Sequence, residues 1–116
     1  MPDEATASSF VKIVRAAAHK LILFLPHAID RMNSPEKLIT TDEVRAAIFD
    51  GEIIEDYPED ARGHSCLMLG YSTDDARPIH VVCSPKDKYL AIITVYLPDV
   101  RQWSQDFRKR LEDAKQ

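Results

Sequence analysis

The chain has 116 residues, of which 45% are hydrophobic and 29% are charged. This size and composition are typical of a single globular domain and exclude a disordered or fibrous chain. The formal net charge of −4 counts against a protein with a wholly basic surface, although a local basic patch can still attract a nucleic acid.

The start of the chain, residues 1–4, is acidic where a secretory signal would be basic. The longest apolar run, residues 21–25, is far too short to span a bilayer. We therefore expect a cytoplasmic protein that makes no membrane contact. It is expected to have a flexible N-terminus over residues 1–7 and a single domain over residues 8–116.

The N-terminal part of the domain predicts a helix followed by a strand. Ser8 or Ser9 can cap a helix with apolar residues at helical spacing, namely Phe10, Ile13, Val14 and Ala17. The apolar residues 21–25 fit either a buried strand or the continuation of that helix. We favour a strand, because Pro26 disfavours a helical conformation of the residue before it.

Two more helices are predicted before the sheet. Pro26 suits the first turn of a short helix, which residues 33–35 would end. Thr40 and Glu43 have the spacing of a capping box, which predicts the start of the next helix. Gly51 stands where a left-handed C-terminal cap is expected.

The second half of the chain has the pattern of strands. Strand-length apolar segments separated by short polar turns occupy Glu52–Tyr57 and residues 65–72, 79–84 and 89–97. Such short connections force neighbouring strands to run antiparallel. After them, Asp99 can cap a final helix with Val100, Trp103, Phe107 and Leu111 on one face. The predicted fold is therefore α+β, an antiparallel sheet of four to five strands packed against helices.

Several motifs occur in a characteristic order from residue 27 onward. They include His-Ala-x-x-Arg-Met at residues 27–32, Gly-Glu-Ile-Ile-Glu-x-Tyr-Pro at 51–58, Arg-Pro-Ile-His-Val-Val at 77–82 and Trp-x-x-x-Phe-x-x-Arg at 103–110. In this order and spacing the chain resembles the "domain of unknown function 4258" family. The resemblance implies a fold and activity like those of RelE and barnase ribonuclease toxins, with RNA as substrate and an antitoxin, often a zinc-finger protein, as partner.

One departure from the family pattern lies just before the helix that is predicted to start at Thr40. Relatives carry an arginine-containing turn just ahead of the Ile-Thr pair, whereas this chain has a longer linker at residues 33–38. If that arginine is functional in relatives, this chain has either lost it or replaced it with Lys37.

His27 and Arg31 are candidate catalytic residues because they are four positions apart on one helix face. RNA cleavage through the 2′-hydroxyl needs an acid, a base and a cation on the phosphate. Histidine and arginine can supply these without a metal. Alternatively, His27 helps to cap its helix and Arg31 pairs with an acidic residue, for which Asp30, Glu55 and Asp56 are available.

His80 is a further catalytic candidate, with Thr94 and Tyr96 as substrate-binding residues on the next strand. If the intervening loop pairs Ser84 with Leu90, His80 lies directly opposite Thr94, whereas a slip of one residue separates them. The alternative is a half-buried histidine with a structural hydrogen bond.

Arg108 and Arg110 either contact RNA phosphates or merely complement the dipole of the predicted final helix. We expect no metal and no cofactor. His64, Cys66, His80 and Cys83 lack the paired spacing of zinc ligands, and the two cysteines are read as buried free thiols.

The leading hypothesis is a toxin-like, metal-independent endoribonuclease of a toxin–antitoxin pair. In it, His27 and His80 serve as acid and base, and Arg31 stabilises the phosphate charge. The rival hypothesis is a non-catalytic module that binds a protein or a small ligand on the same fold.

Overall fold

The computed structural model describes residues 4–72 and 77–111, with side chains from Ser9 onward. The elements within these residues are α1 (Glu4–Lys20), β1 (Ile22–Phe24), α2 (Pro26–Met32), α3 (Thr41–Asp50), β2 (Glu52–Tyr57), β3 (Ser65–Tyr71), β4 (Pro78–Pro85) and β5 (Leu90–Tyr96). The predicted α+β class is confirmed. The division at residues 1–7 and 8–116 stays a prediction. Within the described ranges, no helix is both long and apolar enough to cross a membrane.

The sheet is mixed, with strand order β1-β5-β4-β3-β2. The four strands β2 to β5 form the predicted antiparallel meander. β1 instead runs parallel to β5, pairing Leu23 with Ala91. This is possible because two helices and three strands separate β1 from β5 in the chain, so no short connection constrains their relative direction.

α1 begins earlier than the sequence predicts. Ser8 and Ser9 lie inside the helix, so neither of them is its N-terminal cap. The apolar pattern marks only the helix face that packs on the sheet. It gives no signal for the first turn of the helix, which lies before that pattern in the chain. Of the predicted core positions, Phe10, Val14 and Ala17 are buried, whereas Ile13 is 55% exposed.

The strand prediction for residues 21–25 and the helix start at Pro26 are both confirmed. β1 covers the centre of the apolar run, and Leu25 has the extended backbone expected of a residue before proline (φ −72°, ψ 158°). Pro26 stands in the first turn of α2, where its missing N–H costs no hydrogen bond.

α3 starts with the predicted capping box. The Thr40 hydroxyl accepts a hydrogen bond from the Glu43 N–H at 3.1 Å, and the Glu43 carboxylate accepts one from the Thr40 N–H at 2.9 Å. Such a cap stabilises a helix by about 1 kcal/mol.

The predicted left-handed cap at Gly51 is wrong, because this residue is extended (φ −86°). Arg15 of α1 caps the end of α3 instead, donating hydrogen bonds to the carbonyl oxygens of Ile48 (2.9 Å) and Gly51 (2.8 Å). Glycine is required here for space, since a Cβ atom would lie 2.3 Å from the Leu69 carbonyl oxygen.

The two faces of the sheet are covered differently. The helices pack on the first face around a large core that includes Val14, Val44, Ile48, Met68 and Val81. A smaller cluster on the second face consists of Ile54, Leu67, Leu69 and Trp103. Trp103 belongs to residues 99–111, so this C-terminal segment is the cover of the second face.

The predicted final helix is wrong, because residues 99–111 form turns and one isolated antiparallel bridge between Trp103 and Arg110. The carboxylates of Asp99 and Asp106 accept hydrogen bonds from the N–H groups of Arg101 (2.8 Å) and Arg108 (3.2 Å). Short polar side chains that bond nearby backbone in this way compete with helix formation. The segment folds back on itself and places Trp103 against the sheet.

Candidate functional site

An open cleft lies where α2 and the following linker meet the end of β5. Its volume is about 310 Å³, and it is lined by Asp30, Arg31, Ser34, Glu36, Lys37, Ile39, Val95, Tyr96 and Leu97. Two residues predicted from the sequence, Arg31 and Tyr96, therefore come together at one site. Lys37, the candidate replacement for the family's arginine, lies in the same wall.

His80 is fully buried beneath the cleft, on the second face of the sheet. Its Nε2 atom lies 2.9 Å from the carbonyl oxygen of Phe107, and its Nδ1 atom lies 3.2 Å from the hydroxyl oxygen of Tyr96. The ring of Trp103 contacts it edge-on, with centroids 4.4 Å apart. Because both ring nitrogens are hydrogen-bonded within the protein and the side chain is fully buried, His80 cannot itself contact a substrate. The predicted direct acid/base role does not fit this position.

The hydrogen bonds of His80 determine which ring nitrogen carries the proton. A carbonyl oxygen can only accept, so Nε2 carries the hydrogen and donates it to Phe107. In the neutral ring Nδ1 is then an acceptor, and the Tyr96 hydroxyl donates to it. The buried histidine thus fixes the orientation of the hydroxyl group of Tyr96, a residue that lines the cleft.

Burial lowers the pKa of His80 from 6.5 to about 4, because the interior disfavours the charged ring. The unfolded chain therefore binds this proton more readily than the folded one. The stability contributed by neutral His80 is complete above about pH 6.5 and is lost as the pH falls towards about 4.

We expect protonation of His80 to reduce the free energy of unfolding by roughly 3 kcal/mol as the pH falls from about 6.5 to about 4. Urea denaturation at a series of pH values measures it. His80→Gln serves as the reference, because it retains every other titrating group. Identical pH dependence in the wild type and in this variant would contradict the assignment.

The register between β4 and β5 differs from the one considered for the sequence. His80 pairs with Tyr96, and Thr94 pairs with Val82. The loop pairs Leu90 with Pro85 instead of Ser84, and an irregularity follows Val82. The condition for placing His80 directly opposite Thr94 is therefore not met, although Thr94 and Tyr96 still share one face because they are two residues apart.

His27 is exposed in the first turn of α2, one helical turn before Arg31. Arg31 lines the cleft, whereas His27 is not part of the lining as far as the structure describes it. The alternative structural roles find no support in the described contacts. α2 has no side-chain cap, Glu55 pairs with Arg110, and Asp56 pairs with His64.

Arg108 and Arg110 both form ion pairs with β2. Arg108 donates to Glu52 through Nε (2.6 Å) and Nη2 (3.0 Å). Arg110 donates to Glu55 through the same two atoms, at 2.9 and 3.2 Å. The reading in which they complement a helix dipole is wrong, because no helix is present there. Their acidic partners are more than 50 residues away in the sequence and had no local signal.

The two cysteines are free thiols, as predicted, and both are buried. Cys66 and Cys83 face each other across β3 and β4 with their sulfur atoms 3.9 Å apart. Cys83 belongs to the helix-covered core and His80 to the opposite face of the same strand, so the two cannot share a metal. Across residues 4–72 and 77–111, His, Cys, Asp and Glu side chains form no group of three or more that could bind a metal ion.

The Domain of unknown function (DUF4258) model matches residues 24–97. The chain belongs to this family. The match contains α2, α3 and β2 to β5 entirely but only the last residue of β1. It includes the cleft, His80 and Tyr96 and ends before residues 99–111. No curated protein and no solved structure matches the chain. The similarity of this DUF4258 protein to RelE and barnase toxins stays a prediction.

Proposed function

We propose that this DUF4258 protein is a cytoplasmic, metal-independent endoribonuclease whose active site is the cleft between α2 and β5. The observation that carries the proposal is the arrangement of His80, Tyr96 and Arg31. A buried histidine with a defined tautomer holds the hydroxyl of Tyr96, and both Tyr96 and Arg31 line the cleft. Buried polar groups that orient a cleft residue are typical of functional sites.

The cleavage step needs no external nucleophile. The 2′-hydroxyl oxygen of RNA attacks the adjacent phosphorus, and the bond from phosphorus to the 5′-oxygen breaks. The products are a 2′,3′-cyclic phosphate and a 5′-hydroxyl. We assign the proton of the 2′-hydroxyl to His27, which is exposed one helical turn before Arg31 although it does not line the cleft. The Lys37 ammonium, which lines the cleft, donates a proton to the leaving 5′-oxygen. Arg31 binds the non-bridging phosphate oxygens, where a planar guanidinium makes two parallel hydrogen bonds.

Tyr96 and His80 position the substrate in this scheme. Because the Tyr96 hydroxyl donates its proton to His80, its oxygen lone pairs are free to accept a hydrogen bond from an N–H group of the bound nucleotide. This contact orients the nucleotide whose 2′-oxygen attacks, and correct orientation lowers the barrier of the reaction. His80 is therefore a positioning residue, which revises the catalytic role predicted for it. Thr94, on the same sheet face, is kept as a substrate contact.

The proposal predicts that purified protein cleaves labelled RNA in the presence of EDTA and leaves 2′,3′-cyclic phosphate ends. Both free RNA and ribosome-bound RNA should be tested, because the resemblance to toxins leaves the natural substrate open. Gel electrophoresis combined with end-group analysis gives the result. Cleavage that stops in EDTA would contradict the metal-independent scheme.

The second candidate is a non-catalytic module that binds a protein or a small ligand in the same cleft. The ion pairs of Arg108 and Arg110 favour it, because they leave fewer cations available for RNA on a chain of net charge −4. An antitoxin, the partner that the resemblance implies, suits either function. Absence of cleavage on both RNA substrates would favour this module.

A further inference from the structure

The C-terminal segment, residues 99–111, is attached to the sheet mainly through side chains; we call it the strap. Two bidentate ion pairs join it to β2, Arg108 with Glu52 and Arg110 with Glu55. Glu55 also accepts a hydrogen bond from the Tyr57 hydroxyl. Both arginines thus bind carboxylates in the geometry that they would use for phosphates.

The strap lies directly over the residues that position Tyr96. The guanidinium carbon of Arg110 is 4.6 Å from the centroid of the Trp103 ring, which in turn contacts His80 edge-on. The strap also supplies the Phe107 carbonyl that accepts the His80 proton. A movement of the strap would therefore change the support of the Tyr96 hydroxyl.

The backbone of the strap is strained at the point where it contacts His80. Phe107 has φ 64°, in the left-handed region that favours glycine, and among the described residues it is the only non-glycine residue with positive φ. Side-chain contacts therefore have to hold this conformation against the preference of the backbone. The two ion pairs to β2 and the packing of Trp103 provide these contacts.

We infer that Glu52 and Glu55 are an internal substitute for substrate phosphates, and that bound RNA displaces them from Arg108 and Arg110. Partly exposed ion pairs stabilise a fold only weakly, so a ligand that carries several phosphates can compete with them. Displacement leaves Trp103 and the Phe107 carbonyl in place against the sheet and makes the guanidinium groups of Arg108 and Arg110 available to phosphates. The pairs are thus an autoinhibitory contact, and this inference rests on the proposed RNA substrate.

The test is binding of a single-stranded DNA 12-mer at low ionic strength. DNA lacks the 2′-hydroxyl and cannot be cleaved by the proposed chemistry, so binding is measured separately from activity. The double variant Glu52→Gln/Glu55→Gln should bind the 12-mer about tenfold more tightly than the wild type, because no carboxylate then competes with the phosphates for the two arginines. Arg108→Gln/Arg110→Gln should bind it more weakly than the wild type.

The matched control is Glu59→Gln/Asp87→Asn, which changes the net charge equally at two exposed acidic residues outside the strap contacts. Equal tightening in this control would reduce the effect to general electrostatics and overturn the inference, as would undetectable binding by every variant. If the double variant fails to fold, Glu52→Gln alone should still bind more tightly than Glu59→Gln. Glu52 is exposed and faces Arg108 at the surface.

Trp103 reports directly on the strap, because it is the only tryptophan in the chain and is 3% exposed. Because only the two arginine side chains change partners, we expect the wavelength of its fluorescence maximum to stay the same when the wild type binds the 12-mer. A shift to longer wavelength would show that water reaches the ring and would contradict a displacement confined to the ion pairs. Absence of RNA cleavage by the wild type would instead contradict the proposed function, and the two failures are therefore distinguishable.

Discussion

Arg31→Gln is expected to slow RNA cleavage by roughly 100- to 1,000-fold, the usual loss when one group that stabilises transition-state charge is removed. Arg31 is exposed in the cleft wall, so the substitution should leave the thermal midpoint nearly unchanged. Arg31→Lys should restore only part of the rate. Lysine keeps the charge but loses the planar pair of donors that matches a phosphate.

The control for Arg31 is Arg45→Gln, which removes an exposed arginine from the neighbouring helix α3. Its cleavage rate should stay within about twofold of the wild type, because surface substitutions away from a site have small effects. Equal rates for the Arg31→Gln and Arg45→Gln proteins would remove Arg31 from the active site.

Trp103→Ala should destabilise the protein by about 3–5 kcal/mol, the usual cost of truncating a buried tryptophan. Trp103 packs with Ile54, Leu67 and Leu69 and is the largest apolar side chain on the second face of the sheet. Without it that face loses its cover, and no other described element lies there to replace it.

Urea denaturation measures the effect of Trp103→Ala as a change in the free energy of unfolding. Val100→Ala is the control in the same segment, since Val100 is 68% exposed and its truncation should cost under about 0.5 kcal/mol. A loss below about 1 kcal/mol for Trp103→Ala would mean that the second face is stable without this segment.

The elements that the sequence predicted correctly are those with local signals. The capping box of α3 needs only Thr40 and Glu43, three residues apart, and its hydrogen bonds are present. The strands β2 to β5 follow from short apolar segments separated by polar turns. The parallel pairing of β1 with β5 has no such signal, because it joins residues nearly 70 positions apart.

The predicted final helix does not form, although its apolar residues have helical spacing. Val100, Trp103, Phe107 and Leu111 have helical spacing, yet Val100 is exposed and Phe107 has a left-handed backbone. Asp99 and Asp106 bond the backbone N–H groups two residues ahead, and these local turns prevail over the apolar pattern. The observed register of β4 and β5 differs by two residues from the one considered for the sequence. One residue comes from the loop, which pairs Leu90 with Pro85, and the other from the irregularity after Val82.

The candidate site was predictable in part. The motif around Arg31 and the strand containing Tyr96 identified two residues that the fold brings to one cleft. A structural hydrogen bond was the alternative considered for His80, but its partner was not predictable, because it is a carbonyl group 27 residues away in a segment read as a helix. The partners of Arg108 and Arg110 were equally remote, on the far edge strand β2.

The most direct test of the account compares two RNA 12-mers that differ in one 2′-hydroxyl. The first is an all-RNA strand in which the cleaved bond has been mapped, and the second carries 2′-deoxyribose immediately before that bond. In EDTA, the proposed chemistry predicts cleavage of the first strand with a 2′,3′-cyclic phosphate end and no cleavage of the second at that bond. Equal cleavage of both strands, or cleavage of neither, would contradict it.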